Sequence, residues 1–162
     1  MSAMLCVFMM SSALAASGAS IDSDGVVVGT AEVAAPAGVV LKVLGDARAV
    51  AAITAAGTSV EQVSVEGGCA VLDYTSVNRL ATVAYRVRQC PVDGGFDAAL
   101  ISSSSFTAYA TSWRVEAVGE GTRITYRLSA KTSLPVPKAI IRYTMRGAVE
   151  DMMSTLEEHF DQ

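Results

Sequence analysis

The chain has 162 residues, of which 51% are hydrophobic and 17% charged, and its formal net charge is −4. A chain of this length and apolar content folds as one domain around a single core, which excludes a disordered protein. The net negative charge provides no broad positive field for phosphates, so we predict no nucleic-acid partner.

The first segment is typical of a secretory signal peptide. Residues 4–14 form an apolar run, and Ala13-Leu14-Ala15 provides an A-x-A cleavage pattern, with a second cleavage position after Ala19. The run is shorter than the roughly 20 residues that span a bilayer. We therefore expect residues 1–19 to be a signal peptide, residues 20–162 to form the mature domain, and the protein to be secreted or periplasmic. An ordinary buried strand or helix is the alternative interpretation.

The mature chain begins with one strand and two short helices. Residues 25–33 are rich in valine and predict a strand. Pro36 is suited to the first turn of a helix that ends at Gly45-Asp46, and residues 47–56 predict a second short helix. Six segments with period-two alternation follow and predict an antiparallel meander: residues 60–66, 69–77, 81–89, 96–103, 107–117 and 122–130.

The last segment predicts a long amphipathic helix. Two X-Pro steps in Leu134-Pro135-Val136-Pro137 disfavour helix before them. After them, apolar residues recur at spacings of three and four, which is the periodicity of one buried helix face: Ile141, Met145, Ala148, Val149, Met152 and Leu156.

Two hairpins have registers that the side chains specify. A turn at Gly119-Glu120 pairs apolar residues on one face and opposite charges on the other: Trp113 with Tyr126, Val115 with Ile124, and Glu116 with Arg123. A turn centred between Arg79 and Leu80 does the same: Tyr74 with Tyr85, Leu72 with Val87, and Asp73 with Arg86.

The second register also sets Cys69 opposite Cys90, while Cys6 would leave with the signal peptide. In an exported protein this pair favours a disulfide. Two unpaired thiols are the alternative, which a cytosolic location would favour. Two cysteines and one histidine fall short of the four ligands of a structural zinc site, so we predict no metal.

Together these elements resemble the helix-grip fold of the START-like (SRPBCC) superfamily, which includes polyketide cyclases and lipid-transport proteins. The likeness spans residues 25–160 and is carried by five segments: residues 31–36, 43–46, 112–115, 119–126 and 134–137. The resemblance implies an α+β domain in which a curved antiparallel sheet of about seven strands wraps around the C-terminal helix. It also implies a cavity between the sheet and that helix.

The residues expected to face this cavity are mostly apolar, with a few hydroxyl groups: Leu72, Tyr74, Tyr85, Val87, Tyr109, Thr111, Trp113, Tyr126, Leu128, Met145, Val149 and Met152. Such a lining suits a hydrophobic small molecule, of a lipid, isoprenoid or quinone-like class, bound or carried without a cofactor. A filled core is the alternative interpretation, because any helix packed on a sheet shows a similar stripe.

We predict no catalytic residue. His159, the one histidine, follows two glutamates at the end of the last helix, where an imidazolium favours the helix dipole. Two other functions remain as alternatives. One is a polyketide cyclase- or aromatase-like enzyme that polarises a carbonyl with Tyr74, Tyr85 or Tyr126. The other is a non-catalytic protein-interaction module of the cell envelope.

The arginines of the meander are expected on the convex face of the sheet: Arg79, Arg86, Arg88, Arg114, Arg123 and Arg127. Asp73, Asp97 and Glu116 are available there as partners, so we favour a solvated, ion-paired face. Contact between unpaired arginines and an anionic membrane surface is the alternative.

Overall fold

The structure is a computed structural model that describes residues 16–55, 57–77 and 81–162. It confirms the predicted α+β class, with two short helices near the start, a meander and a long terminal helix. The elements in chain order are β1 (Gly18–Ile21), β2 (Val27–Val33), α1 (Ala37–Leu44), α2 (Ala47–Thr54), β3 (Thr58–Glu66), β4 (Cys69–Val77), β5 (Thr82–Val92), β6 (Gly95–Ser103), β7 (Phe106–Val118), β8 (Gly121–Thr132) and α3 (Lys138–Phe160).

The strands form one antiparallel sheet in the order β1-β2-β8-β7-β6-β5-β4-β3. Both predicted hairpin registers are confirmed, since Trp113 pairs with Tyr126 and Tyr74 pairs with Tyr85. The turn predicted between Arg79 and Leu80 lies outside the described residues. At the edge of the sheet formed by β3, the pairing of β3 with β4 has an irregular register between Gln62 and Ser64.

A short strand precedes those that the sequence predicts. In β1, Ala19 pairs with Gly29 of β2, and its carbonyl accepts a 3.1 Å hydrogen bond from Arg146 Nε of α3. The sheet therefore has eight strands rather than about seven. The expected boundary between residues 19 and 20 falls within β1, while residues 1–15, with most of the signal-like segment and Cys6, lie outside the described residues.

The predicted disulfide between Cys69 and Cys90 is present. It joins the start of β4 to β5, with the two Cα atoms 4.3 Å apart and 21 positions apart in sequence. The bridge lies at the end of the β4–β5 hairpin that is remote from its turn. It therefore fastens the two strands where the turn cannot hold them together.

Helix α3 packs mainly on β1 and β2. Val149 and Leu156 are buried, as the periodicity predicts, but Ala148 is exposed and Met153 is completely buried. The buried face is thus rotated toward Met153, because Gly29 of β2 has no side chain and leaves space for it. The core beneath the helix also contains Val27, Val33 and Ile124.

The convex face of the sheet is ion-paired, as favoured from the sequence. Arg86 binds Asp73 at 2.6 Å, and Arg114 binds Asp97 at 2.7 Å. The remaining pairs on this face are Arg88 with Glu66, Arg123 with Glu32 and Glu116, and Arg127 with Asp22. Arg79 lies outside the described residues. None of the helices in the described residues combines the length and apolar character of a bilayer-spanning segment.

Candidate functional site

A cavity of about 160 Å³, here called the inner cavity, lies between α2 and the concave face of the sheet. Helix α3 contributes Met152 to one side of it. The full lining consists of Ala47, Val50, Ala51, Thr54, Ala55, Thr58, Tyr74, Tyr85, Val87, Gln89, Ala98, Tyr109, Thr111, Trp113, Tyr126 and Met152.

Small side chains of α2 form the roof of the inner cavity. Ala47, Val50, Ala51 and Thr54 are spaced at i, i+3, i+4 and i+7 and therefore share one face of the helix. The helix begins at Asp46, whose Oδ1 accepts hydrogen bonds from Arg48 N at 3.0 Å and Ala49 N at 3.1 Å. This cap orients a helix of only eight residues over the sheet.

The strands supply the larger side chains of the floor. Trp113 of β7 and Tyr126 of β8 are paired across the sheet, with ring centroids 4.4 Å apart. Ala98 of β6 pairs with Gln89 on one side and with Thr111 on the other. Ala98 is the smallest side chain in this row. It therefore leaves open the space between the sheet and α2 that forms the cavity.

Tyr85 is the centre of an aromatic cluster at one end of the inner cavity. Its ring is stacked on Tyr74, with centroids 5.1 Å apart. Tyr109 lies 4.8 Å away, and Phe106 meets the Tyr85 ring edge-on at 5.3 Å. These contacts fix the direction in which the Tyr85 hydroxyl points.

Burial keeps the cavity tyrosines in the neutral form. It raises the pKa of Tyr74 to about 12, and it also raises the pKa of Tyr85, Tyr109 and Tyr126. The charge of one phenolate would repel that of another, which raises the pKa of Tyr85 and Tyr126 further. Neutral phenols donate hydrogen bonds and do not act as bases at neutral pH. Among the described residues, the lining has no Asp, Glu, Lys, Arg or His.

Most of the residues predicted to face a cavity lie around this one: Tyr74, Tyr85, Val87, Tyr109, Thr111, Trp113, Tyr126 and Met152. The other four are placed elsewhere. Leu72 packs against the cavity residues Val87 and Ala98 and lines the adjoining surface groove rather than the cavity itself. Leu128, Met145 and Val149 belong to the core around α3. These three residues lie outside the cavity because α3 packs on β1 and β2, which leaves α2 to cover the middle strands.

The pattern of large apolar residues does not identify the α2 residues, Ala55, Thr58, Gln89 or Ala98 as lining residues. The i, i+3, i+4, i+7 spacing in α2 was a signal that could have identified the roof. Gln89 and Ala98 continue the alternation of their strands, on the side of Val87. A prediction based on large apolar side chains misses both, because Gln89 is polar and Ala98 is small.

A surface groove leads to the inner cavity. It is lined by Gly45, Asp46, Ala47, Arg48, Gln62, Ala70, Leu72 and Gln89, and it shares Ala47 and Gln89 with the cavity. The two spaces therefore meet between the start of α2 and the middle of β5. His159, by contrast, is exposed at the end of α3, where its ring contacts Phe160.

The sequence matches the family described as polyketide cyclase / dehydrase and lipid transport over residues 25–161. The chain belongs to this family. The matched range contains every element from β2 to α3, which confirms the resemblance drawn from the sequence. No curated protein shows significant similarity to the chain.

Solved structures share the fold of this family member. A protein from Thermus thermophilus is 21% identical with a TM-score of 0.72, over 83% of this chain and 96% of the other. A START superfamily protein from Mycobacterium smegmatis is 17% identical with a TM-score of 0.74, over the same shares. The Zhui aromatase/cyclase from a Streptomyces species is 17% identical with a TM-score of 0.63, over 82% and 88%. At these identities the likeness establishes the fold alone.

Proposed function

We propose that the chain binds one hydrophobic molecule of one or two rings in the inner cavity and releases it unchanged. The observation that carries this proposal is a cavity of about 160 Å³ lined mainly by aromatic and small side chains and adjoining the surface groove at Ala47 and Gln89. Trp113 and Tyr126, both buried, form part of its wall. A concave, largely apolar space with a few polar groups is the usual form of a small-molecule site.

The volume limits the class of ligand. An apolar cavity of about 150 Å³ accepts a molecule of the size of benzene, whereas sites for larger ligands have about 300–1,000 Å³. A quinone ring or a phenol fits the space as it stands, and the second ring of a naphthol extends toward the surface groove at Ala47 and Gln89. A long acyl or isoprenoid chain requires α2 to move outward, so we place the ring-sized ligand first.

The hydroxyl groups indicate one further property of the ligand. Tyr85, Tyr109 and Tyr126 are neutral donors, and Thr111 lies beside Tyr126. These hydroxyl groups already hydrogen-bond one another, from Tyr85 through Tyr109 to Tyr126 and Thr111. A ligand carbonyl or hydroxyl would extend this network by one hydrogen bond, so the lining favours a ring with one oxygen substituent over an unsubstituted ring.

Titration with 2-naphthol tests the proposal. The chain has one tryptophan, and Trp113 lines the cavity, so its fluorescence should change as one molecule binds per chain. The variant Ala98→Leu fills the cavity and should weaken binding at least tenfold. Ala99→Leu, at the exposed neighbouring position of the same strand, is the control. Equal affinity in the two variants would place the ligand elsewhere and refute the proposal.

A cyclase or aromatase activity is the second candidate, favoured by the family description and by the tyrosine donors. A donor that polarises a carbonyl is one half of such chemistry, and a base is the other. The described lining holds no base, which is why we place binding first. Tyr85→Phe combined with Tyr126→Phe should weaken 2-naphthol binding by no more than about tenfold, the contribution of one hydrogen bond. Turnover of a polyketide substrate that the same variant abolishes would support the enzyme instead.

We also propose that the chain is exported and cleaved after Ala15. The disulfide supports an oxidising compartment. Cleavage after Ala15 preserves β1, whereas cleavage after Ala19 removes two of its four residues. Amino-terminal sequencing of the protein recovered from its own host should begin at Ala16. A start at Ser20, or an intact Met1, would contradict this proposal.

A further inference from the structure

A second groove lies between the end of β8 and the start of α3. We call it the basic groove. It has a volume of about 430 Å³, and its lining includes Lys131, Lys138 and Arg142 together with Leu134 and Ile141. The inner cavity and this groove share no lining residue.

The charge of this region is opposite to that of the whole chain. Residues 129–149 contain four cationic side chains and no Asp or Glu, although the chain has 16 acidic residues. Within the described residues, Lys131, Lys138 and Arg142 form no ion pair. The Arg142 guanidinium lies over Gly25, and the nearby Asp22 is already bound to Arg127. The groove therefore offers three cations to an external anion.

Exposed apolar side chains lie at the same end of the molecule: Leu134 lines the groove, while Ile140 and Tyr143 lie on the opposite, solvent-facing side of α3. Leu134 is 40% exposed, Ile140 is 51% exposed and Tyr143 is 74% exposed. Leu134 precedes α3, and the other two lie in its first two turns. Tyrosine and aliphatic side chains next to lysine and arginine are the combination found where proteins meet the interfacial region of a bilayer.

We propose that this end of the molecule docks on a bilayer surface rich in anionic lipids. The start of α3 points at the bilayer, so that lipid head groups occupy the basic groove on one side of the helix while Ile140 and Tyr143 enter the interfacial layer on the other, with Leu134 at the tip. A soluble anion would bind the cations but would make no use of the exposed apolar residues. The presence of both kinds of side chain at one end of the molecule therefore favours a lipid surface. The proposal does not depend on the inner cavity, because no residue is common to the two sites.

Vesicle flotation tests the docking surface. Vesicles of phosphatidylcholine alone are compared with vesicles that also contain phosphatidylglycerol, and binding is expected only to the second. Lys131→Gln with Lys138→Gln should weaken binding about 30-fold, given about fivefold for each cation near an anionic surface. Ile140→Ser with Tyr143→Ser should weaken it several-fold, including at salt concentrations that screen the charges.

The matched control is Arg88→Gln with Arg114→Gln, which removes the same charge from the convex face. It should bind vesicles as the parent does. The proposal would be overturned if both charge variants lost vesicle binding equally, or if only the convex-face variant lost it. It would also be overturned if the protein showed no preference for vesicles with phosphatidylglycerol. So would saturable binding of inorganic phosphate in the groove together with unchanged vesicle binding by the serine variant. All variants should retain 2-naphthol affinity, which separates this test from that of the proposed function.

Discussion

Gly29 of β2 lies directly beneath Met153 of α3, with no space for a side chain between them. A Cβ atom at residue 29 would lie 2.9 Å from Met153 Cγ and 2.5 Å from Val149 Cγ1. Both partners are buried, and Met153 is completely so. The close approach of α3 to the sheet therefore requires glycine at this position.

We expect Gly29→Ala to lower the free energy of unfolding by about 2 kcal/mol, the usual cost of overpacking a close-packed core. The Met153 side chain can change rotamer, but the branched Val149 cannot move as easily. Urea denaturation measures the difference. Gly18→Ala is the control, since a Cβ there meets nothing within 4 Å. Equal stability of the two variants would show that α3 shifts at no cost.

Loss of the Cys69–Cys90 bridge should destabilise the fold by about 3 kcal/mol, the chain-entropy value for a loop closed across 21 positions. The variant Cys69→Ala with Cys90→Ala measures this in urea. Dithiothreitol should lower the midpoint of the parent toward that of the variant and leave the variant itself unchanged. A parent indifferent to reductant under denaturing conditions would contradict the bridge.

Stability should decrease at alkaline pH because of the cavity tyrosines. Burial raises their pKa, to about 12 for Tyr74, while tyrosines of the unfolded chain titrate near pH 10. The folded state thus retains protons that the unfolded chain loses, so the free energy of unfolding is unaffected below pH 10 and falls above it. At pH 11 each such tyrosine contributes a loss of about 1 kcal/mol.

Urea denaturation between pH 8 and about pH 11 follows this loss. Tyr109→Phe removes one of the titrating groups, and its alkaline decline should be shallower than that of the parent. Tyr143→Phe, at a position that is 74% exposed, serves as the matched control and should decline as the parent does. Identical curves for all three proteins would exclude a contribution from Tyr109.

Asp46 should control the rate at which the inner cavity exchanges its ligand. Its carboxylate caps α2, and replacement of such a cap by alanine costs about 1 kcal/mol of helix stability. Asp46→Ala should therefore speed both 2-naphthol dissociation and amide exchange of residues 47–54 about fivefold. Asp46→Asn, which keeps an acceptor oxygen, should match the parent. Unchanged rates in Asp46→Ala would mean that the ligand enters by another route.

The hairpin registers could be predicted because two independent patterns agree. Trp113 opposite Tyr126 is an apolar pair on one face, and Glu116 opposite Arg123 is an ionic pair on the other. A slip of one residue would break both. The same alternation placed the β-strand residues of the inner cavity, since it decides which side chains face the concave side.

The position of the helices over the sheet could not be predicted in the same way. The turn of α3 toward Met153 depends on Gly29, which is more than 100 positions away in the chain. The role of α2 as the roof depends on where α3 leaves the middle strands uncovered. Strand β1 was missed because small residues such as Gly18 and Ala19 suit a signal-peptide end as well as an edge strand.

The two open edges of the sheet differ in how they resist aggregation. Strand β1 has only four residues, which offers a second chain little backbone to pair with. Strand β3 is longer and exposes Val63 and Val65, but its irregular register between Gln62 and Ser64 interrupts the regular row of amides and carbonyls. Glu61 and Glu66 add negative charge on either side of that interruption. The irregularity in β3 thus keeps the chain from recruiting further copies into a continuous β-structure.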